Sequence, residues 1–391
     1  MRERDRPLTV AHLTTVDMSL RFLVLAQLRA VRDLGGQAIG ISAPGPWVEE
    51  LEAEGIRHIP LASSTRAMNP AADLGAAHEL WRILQRESID VLHTHNPKPG
   101  LYGRVIGRLA RVPIVVNTVH GLYATEDDPR AKRAIVYGLE GIASRFSDAE
   151  LFQNPEDLAL MQRLHLTRRA RFLGNGVDLT RFDPAHFDAA ERRAMRAEIG
   201  VDDPDTILVG SVGRLVAEKG YPELFEACEQ LPRPYRLVVV GGDDPDKPDA
   251  LPRSIVDRAR DQGVIFLGQR DDVDRLYAAM DLFVLASHRE GFPRAAMEAT
   301  AMGIPVVATD VRGCREIVDP EATGLLVPVR DARSLTAAIR RLGDDPDLRA
   351  RMSQSGLARA HEHFDERRVV DRVLDTYREV AERKHLVLPN L

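Results

Sequence analysis

The sequence predicts an α/β protein made of two doubly wound domains, each a parallel sheet covered by helices, followed by a helical C-terminal segment. Three observations carry this. Short β-branched runs alternate with amphipathic stretches along the chain, the pattern of strands buried on both faces. The alternation passes through two halves of a 391-residue chain, too long for one ordinary core and ample for two. The last roughly 50 residues then lose the strand pattern and keep only helical periodicity.

In the first half the predicted strands are Leu8–Leu13, Ala38–Ser42, Ile89–His93, Ile114–Thr118 and Ala149–Phe152, with helices over Leu20–Asp33 and Ala71–Glu87 between them. The second half repeats the scheme with strands at Ile207–Val212, Leu237–Val240, Val264–Leu267, Leu282–Leu285, Val306–Thr309 and Leu325–Val327. The break falls between Phe172 and Asp205, where Gly174-Asn-Gly176 precedes a polar helix over Asp188–Ile199. The tail reads as helices over Ala332–Leu342, Leu348–His361 and Glu366–Lys384. The domains are set at 1–180, 181–364 and a last helix, 365–391, packing back towards the first.

Composition narrows the function. The apolar and charged fractions, 44% and 29%, are those of a globular protein with real cores. A net charge of −6 argues against a nucleic-acid binder. Two cysteines, Cys228 and Cys314, make no disulfide framework and fit a reducing cytoplasm. The charged start, and the interruptions at His12, Asp17 and Arg21, give no signal peptide. No window approaches the ~18 consecutive apolar residues of a membrane span, so any membrane contact is peripheral. Neither a P-loop nor a full Gly-x-Gly-x-x-Gly fingerprint occurs, which disfavours NTPases and NAD-dependent dehydrogenases. Asp203-Pro-Asp205, Asp244-Pro-Asp246 and Asp345-Pro-Asp347 read as turns, and His361-Glu-His363 as helix-end polarity.

In such a fold ligands gather at the carboxyl ends of the strands, beside helix N-termini. After Ile207–Val212 comes Gly213-Arg-Leu-Val-Ala-Glu-Lys-Gly220, which places Arg214 and Lys219 next to a helix start. A diphosphate needs a fork, a point charge and free amides; a solvated basic turn is the plain alternative. After Leu282–Leu285 comes Ser287-His-Arg-Glu-Gly-Phe-Pro-Arg-Ala-Ala-Met-Glu298. A helix cap for Glu290 and a surface site for Glu298 are the bland readings. The small, apolar setting of Glu298, among Ala295, Ala296, Met297, Ala299 and Ala301, favours a ligand-facing carboxylate.

Gly213–Gly220, Phe266-Leu-Gly268, Arg289-Glu-Gly-Phe-Pro-Arg-Ala-Ala-Met-Glu-Ala299, Gly303-Ile-Pro-Val-Val-Ala-Thr309 and Gly324-Leu-Leu-Val-Pro328 closely resemble the signature of glycosyltransferase family 4. Asn175-Gly-Val-Asp178 before Phe182 is similar to that family's interdomain segment. The resemblance implies a GT-B fold, two Rossmann-like domains facing across a cleft, acceptor on the first and nucleotide-sugar donor on the second. It implies a retaining hexosyl- or N-acetylhexosaminyl-transferase with no essential metal and no cofactor beyond its substrate, a UDP-linked sugar. Arg214 and Lys219 then hold the donor diphosphate beside Gly213, and Glu298 binds the ribose. Glu290, with the amides of Gly291 and Phe292, orients the sugar beside Pro293, and the backbone at Gln269 and Arg270 meets the base. No separate protein nucleophile is implied.

In the first half, His120 ends a strand with Gly121 behind it. A lone histidine there is ordinarily structural, but the family carries one that contacts the donor sugar. His95, Asn96 and Lys98 follow the preceding strand. His93 and His95 share a face, a metal pair without an evident third ligand, so acceptor contact or plain structure is the expectation. The first loop, Thr15-Val-Asp-Met-Ser-Leu20, lacks the glycine pair of many family members. Asp17 or Ser19 either caps the next helix or meets acceptor.

Two basic groups, Lys98, Arg104, Arg108 and Arg111, then Arg163, Arg168, Arg169 and Arg171, read either as solvated faces or as contacts to anionic lipid or a lipid-linked diphosphate. His120–Tyr123 and Leu151–Asp157 resemble the branch that builds capsular polysaccharide and exopolysaccharide on polyprenyl diphosphate. The expected partners are therefore a nucleotide sugar and a glycan or lipid-linked acceptor, in the cytoplasm or at the inner face of its membrane. An epimerase or hydrolase on the same fold, or a non-catalytic nucleotide-sugar binder, are the rivals.

Overall fold

The computed structural model describes residues 6–65, 69–125, 128–167, 169–245, 247, 249–389 and 391; Arg168 and Asp246 lie outside them. The chain forms two compact units, residues 1–174 with 367–391, and residues 175–366. The final helix, Glu366–Arg383, thus belongs with the first sheet.

The first unit holds strands β1 (Thr9–Val16), β2 (Gln37–Ala43), β3 (Arg57–Pro60), β4 (Val91–His95), β5 (Ile114–Val119), β6 (Ala149–Phe152) and β7 (Ala170–Phe172). They pair in parallel in the order β3-β2-β1-β4-β5-β6-β7. The second unit holds β8 (Ile207–Val212), β9 (Tyr235–Val240), β10 (Ile265–Phe266), β11 (Leu282–Leu285), β12 (Val306–Thr309) and β13 (Gly324–Val327), in the order β10-β9-β8-β11-β12-β13. Each order reverses once, between β1 and β4 and between β8 and β11, and each reversal opens a crevice at the strands' carboxyl ends.

Every predicted strand is present. Two strands escaped the sequence reading, β3 and β7, and both are sheet edges. Arg-His-Ile-Pro carries a proline and an exposed arginine, and Ala-Arg-Phe is three residues long, so neither has an apolar run to betray it. The predicted single helix over Leu20–Asp33 is also different. A short turn, Asp17–Ser19, leads into a π-helical turn, Leu20–Val24, before the α-helix Leu25–Asp33.

Alternation along the strands separates two cores in the first unit. Val10, Val91, Ile114 and Val116 face the helix Leu25–Asp33 and the C-terminal helix, through Val369, Val373, Tyr377 and Val380. Ala11, Leu13, Leu92 and Val115 face the helix Pro70–Arg86 through Leu80 and Leu84. Among the basic residues read as lipid contacts, Arg104 is fully buried and bonds Glu140 (2.6 Å) and Glu150 (3.0 Å). Lys98 pairs with Asp73, Arg108 with Asp148 and Arg171 with Glu379. Arg104 is therefore spent on internal ion pairs, because its helix packs that face on the sheet, whereas Arg111 and Arg163 stand exposed.

Candidate functional site

In the second unit, the loops after β8 and β11 meet over the crevice. Gly220 sits at φ +69°, and a Cβ there would run into the carbonyl of Ala286, so this close crossing of two backbones requires glycine. His288 N–H donates to the Glu218 carbonyl across the same junction (2.8 Å). The junction brings Lys219 Nζ to 2.6 Å from Glu290 Oε1, which also accepts from Ser287 Oγ at 2.7 Å. The Lys219 side chain is 25% exposed and that of Glu290 10%. Glu290 is thus no helix cap; it holds the cation. Tyr221, which the sequence reading passed over, begins the helix Tyr221–Glu229 and donates to the Gly213 carbonyl (2.8 Å), tying that loop to its own helix.

Arg214 forms an ion pair with Asp244 in the loop after β9. The reading of 244–246 as mere turn punctuation is corrected here: Asp244 is buried and anchors the arginine, whereas Asp203 and Asp345 accept backbone N–H bonds within their own turns. Adjacency of β8 and β9 made that partnership, and sequence distance hid it.

Glu298 lies in the helix Arg294–Ala301 with its side chain 14% exposed, so it is no surface residue. Its Oε2 accepts from the Tyr277 hydroxyl (3.1 Å), while Oε1 is 3.7 Å from Arg294 Nε. Burial, with the Glu298 charge beside it, pushes the Tyr277 phenol well above its ordinary pKa, so it stays a donor. Gly291, Phe292 and Pro293 form the turn before this helix. Asn175 Nδ2 donates to the Phe292 carbonyl (3.1 Å), and Gly313 packs so tightly beneath Glu290 and Gly291 that a Cβ would lie 2.7 Å from the Glu290 carbonyl. Gln269 is exposed after Gly268. The Arg270 guanidinium is held by Asp272 (2.7 Å) and Glu198 (2.9 Å).

In the first unit, Asp17 is buried and accepts from the N–H groups of Met18 and Trp47, both at 2.8 Å, and Val16 N-caps the turn with no side-chain bond. The capping alternative is therefore corrected: the carboxylate ties β1 to the loop after β2. Ser19 stands half-buried in that turn. Asn96, at φ 64°, accepts from Thr15 N–H (3.2 Å) and so spans the β1/β4 crevice. The Lys98 ammonium is held by Asp73 and by the Thr65 carbonyl (2.9 Å).

Strand register gathers histidines. His12 on β1 lies opposite His93 on β4, so His12, His93 and His95 project from one face of the sheet. His12 is the third imidazole that the sequence reading did not find, since it is 81 positions before His93 and only strand order joins them. His12 Nδ1 and His95 Nε2 are 2.9 Å apart, His95 Nδ1 and His120 Nε2 are 2.9 Å apart, and His120 Nδ1 is 3.0 Å from Gln153 Oε1. His93 bonds the Tyr377 and Thr118 hydroxyls, both at 2.7 Å. One nitrogen each of His12, His93 and His95 lies within 4.8 Å of the others, close enough to suggest a metal. The directions argue otherwise. The His12 and His95 rings are within 10° of coplanar, with their nitrogens aimed at each other, and both His93 nitrogens are taken by hydroxyls. Zinc with nitrogens at ~2.0–2.1 Å needs lone pairs converging on a common point.

Burial lowers all four imidazoles, His12 to about 3 and His120 to about 4, and mutual repulsion adds to the fall at His93 and His95. His120 keeps some solvent exposure, yet it is surrounded densely enough to stay neutral near pH 7.

A family model described as Glycosyltransferase Family 4 matches residues 23–181, and one described as Glycosyl transferases group 1 matches residues 191–359. The Escherichia coli UDP-Gal:alpha-D-GlcNAc-diphosphoundecaprenol alpha-1,3-galactosyltransferase is 29% identical, over 85% of this chain and 86% of that protein. The D-inositol 3-phosphate glycosyltransferase of Saccharomonospora viridis is 33% identical, over 74% of this chain and 70% of its own. Among solved structures, Anabaena HepE in complex with UDP superposes with a TM-score of 0.79 at 22% identity, over 95% of this chain and all of that one, and so shares the fold. The two reversed parallel sheets, the loop signature of the second and these matches make the chain a member of the family 4, group 1 glycosyltransferases, with the Rossmann-like domains of the GT-B fold.

Proposed function

We propose that this glycosyltransferase moves a hexose or N-acetylhexosamine from a UDP-sugar to a glycan carried on polyprenyl diphosphate, with retention of configuration and without a metal ion. The observation that carries the proposal is the Lys219–Glu290 pair at the β8/β11 reversal, with Arg214 on the same loop as Lys219. Both cations are already oriented by carboxylates, so an arriving diphosphate meets fixed charges and the chain need not reorganise to stabilise the leaving group. Glu298 keeps Oε1 clear of the Tyr277 hydroxyl for a ribose diol. Glu290, with the Gly291–Phe292 turn, orients the sugar, and the backbone at Gln269 and Arg270 meets the base. His120 is the first sheet's contribution to sugar recognition, and Asn96 lies at the acceptor's crevice; the expected acceptor contact of His95 is corrected, because its ring is fully buried with both nitrogens facing His12 and His120. In the reaction the acceptor oxygen bonds the anomeric carbon on the face from which UDP departs, and the departing phosphate takes the acceptor's proton. No protein nucleophile is needed.

The UDP-galactose and undecaprenol-diphosphate named for the E. coli relative support the donor and acceptor classes. Among the described residues no helix is long and apolar enough to cross a membrane. The helix Arg130–Ala143 instead exposes Ile135, Leu139 and Ile142 on one stripe, with Arg130, Lys132 and Arg133 at its start, a composition suited to peripheral contact with anionic lipid at the inner membrane face. The test is transfer from a panel of UDP- and GDP-sugars to a short-chain polyprenyl-diphosphate glycan with EDTA present. An α-linked product from a UDP-sugar is expected. A β-linked product refutes retention, loss of activity in EDTA refutes metal independence, and turnover without acceptor favours an epimerase or hydrolase.

A further inference from the structure

The four-histidine cluster has a direction. Gln153 Oε1 accepts from His120 Nδ1–H, which leaves His120 Nε2 bare; it must then accept from His95 Nδ1–H, and His95 Nε2 in turn from His12 Nδ1–H. The chain ends at His12 Nε2, which is fully buried with no hydrogen-bond partner. Run the opposite way, every proton would sit on Nε2, and the chain would end in a buried, unpaired N–H. Buried N–H groups left without an acceptor are rare in folded proteins, rarer than under-satisfied acceptors. The observed end state therefore selects the first direction.

We propose that His12, His95 and Gln153 are positioning residues that lock His120 in a single neutral tautomer, with its proton on Nδ1 and its ring plane fixed from both sides. The inference rests on the reading of His120 as a sugar-recognition residue for its consequence, though not for its geometry. A ring held at both nitrogens offers a sugar a rigid wall with neither a free N–H nor a free lone pair, so His120 acts by shape and not as an acid or base. His93 stands outside the chain, stacked at 4.3 Å on His95 and tied to Tyr377 and Thr118, and so holds the middle ring in place. The low pKa values of His12 and His120 agree with neutral rings at every link.

The test is nitrogen-15 spectroscopy of the histidine-labelled free protein at pH 7, with steady-state kinetics on variants. The expected result is Nδ1–H for His12, His95 and His120 together. In His95→Phe the His120 signal should revert to a mixture of tautomers and kcat/KM for donor should fall about tenfold. His95→Asn, whose amide N–H can stand in for Nδ1–H, should restore the His120 tautomer and keep kcat/KM within about threefold of wild type. Nδ1-bare or charged His120 in the wild type overturns the proposal. So does an unchanged His120 tautomer in His95→Phe, an equal loss in both variants, or a stoichiometric divalent metal in the purified protein. A confirmed tautomer lock whose loss leaves kinetics untouched overturns the positioning role and, separately, the sugar contact of His120, while the UDP-sugar assay above still judges the transferase reading.

Discussion

Replacing Lys219 with alanine probes the centre of the proposed donor site. The ammonium sits 2.6 Å from Glu290 Oε1 in a part-buried junction. Two unit charges about 4 Å apart interact by about 4 kcal/mol at an effective dielectric constant near 20, which bounds what one lysine can give a phosphate oxygen. Loss of one preorganised donor to a developing anion lowers rates by about 10²–10³-fold, within that bound. The departing diphosphate gains negative charge during transfer, so kcat should fall more than KM rises. The same change strips Glu290 of its cation and leaves Ser287 Oγ donating to it, at a cost of about 1–3 kcal/mol. For a unit of this size that is roughly 3–10 °C in Tm. Kinetics with UDP-sugar and calorimetry would be read on Lys219→Ala and on Lys219→Ala/Glu290→Gln. The double variant should recover stability and no activity. A single variant within threefold of wild-type kcat/KM refutes the assignment, and an unchanged Tm refutes the account of the ion pair.

Glu298→Gln keeps an acceptor for the Tyr277 hydroxyl but loses the charge offered to ribose, so UDP affinity by titration calorimetry should drop about 10–100-fold with Tm nearly unchanged. Stability should also fall on mild acidification. His12 and His120 titrate near 6.5 when unfolded but at about 3 and about 4 when folded, so below pH 6.5 the unfolded chain binds protons that the native rings refuse. Each ring then costs up to about 1.4 kcal/mol per pH unit until its folded pKa is passed, and neither contributes a slope above about pH 7.5. Urea midpoints that stay flat from pH 6.5 to 5 would contradict this. Arg104→Ala should destabilise the first unit by about 3–5 kcal/mol in urea unfolding, because Glu150 stays buried without its partner; Arg104→Met with Glu150→Gln should cost clearly less.

The two sheets and the loops at the ends of their strands were legible in the chain itself. Strands such as Ile114–Val119 and Val306–Thr309, buried on both faces, must be apolar throughout, and that requirement writes itself into consecutive residues. Lys219 and Glu290 stood out for a related reason: loops at strand ends carry residues that the fold itself does not demand, and Glu298 stood out as a carboxylate among the small apolar residues of a helix. Edge strands β3 and β7 stayed hidden because a strand with one neighbour and an exposed face needs no apolar run.

What sequence could not supply were partnerships across strands. Asp244 resembled any turn aspartate until β9 came to lie beside β8 and set it against Arg214. Arg104 resembled a surface cation until its helix packed on the sheet and buried it between two glutamates. His12 resembled an isolated polar residue until parallel pairing in register placed it opposite His93 and within bonding distance of His95. The linear chain determined which segments become strands, helices and loops, because those depend on the periodicity and chemistry of neighbouring residues. The tertiary structure alone decided which charges and rings meet, because strand order in a doubly wound sheet joins positions whose separation along the backbone carries no trace of their contact.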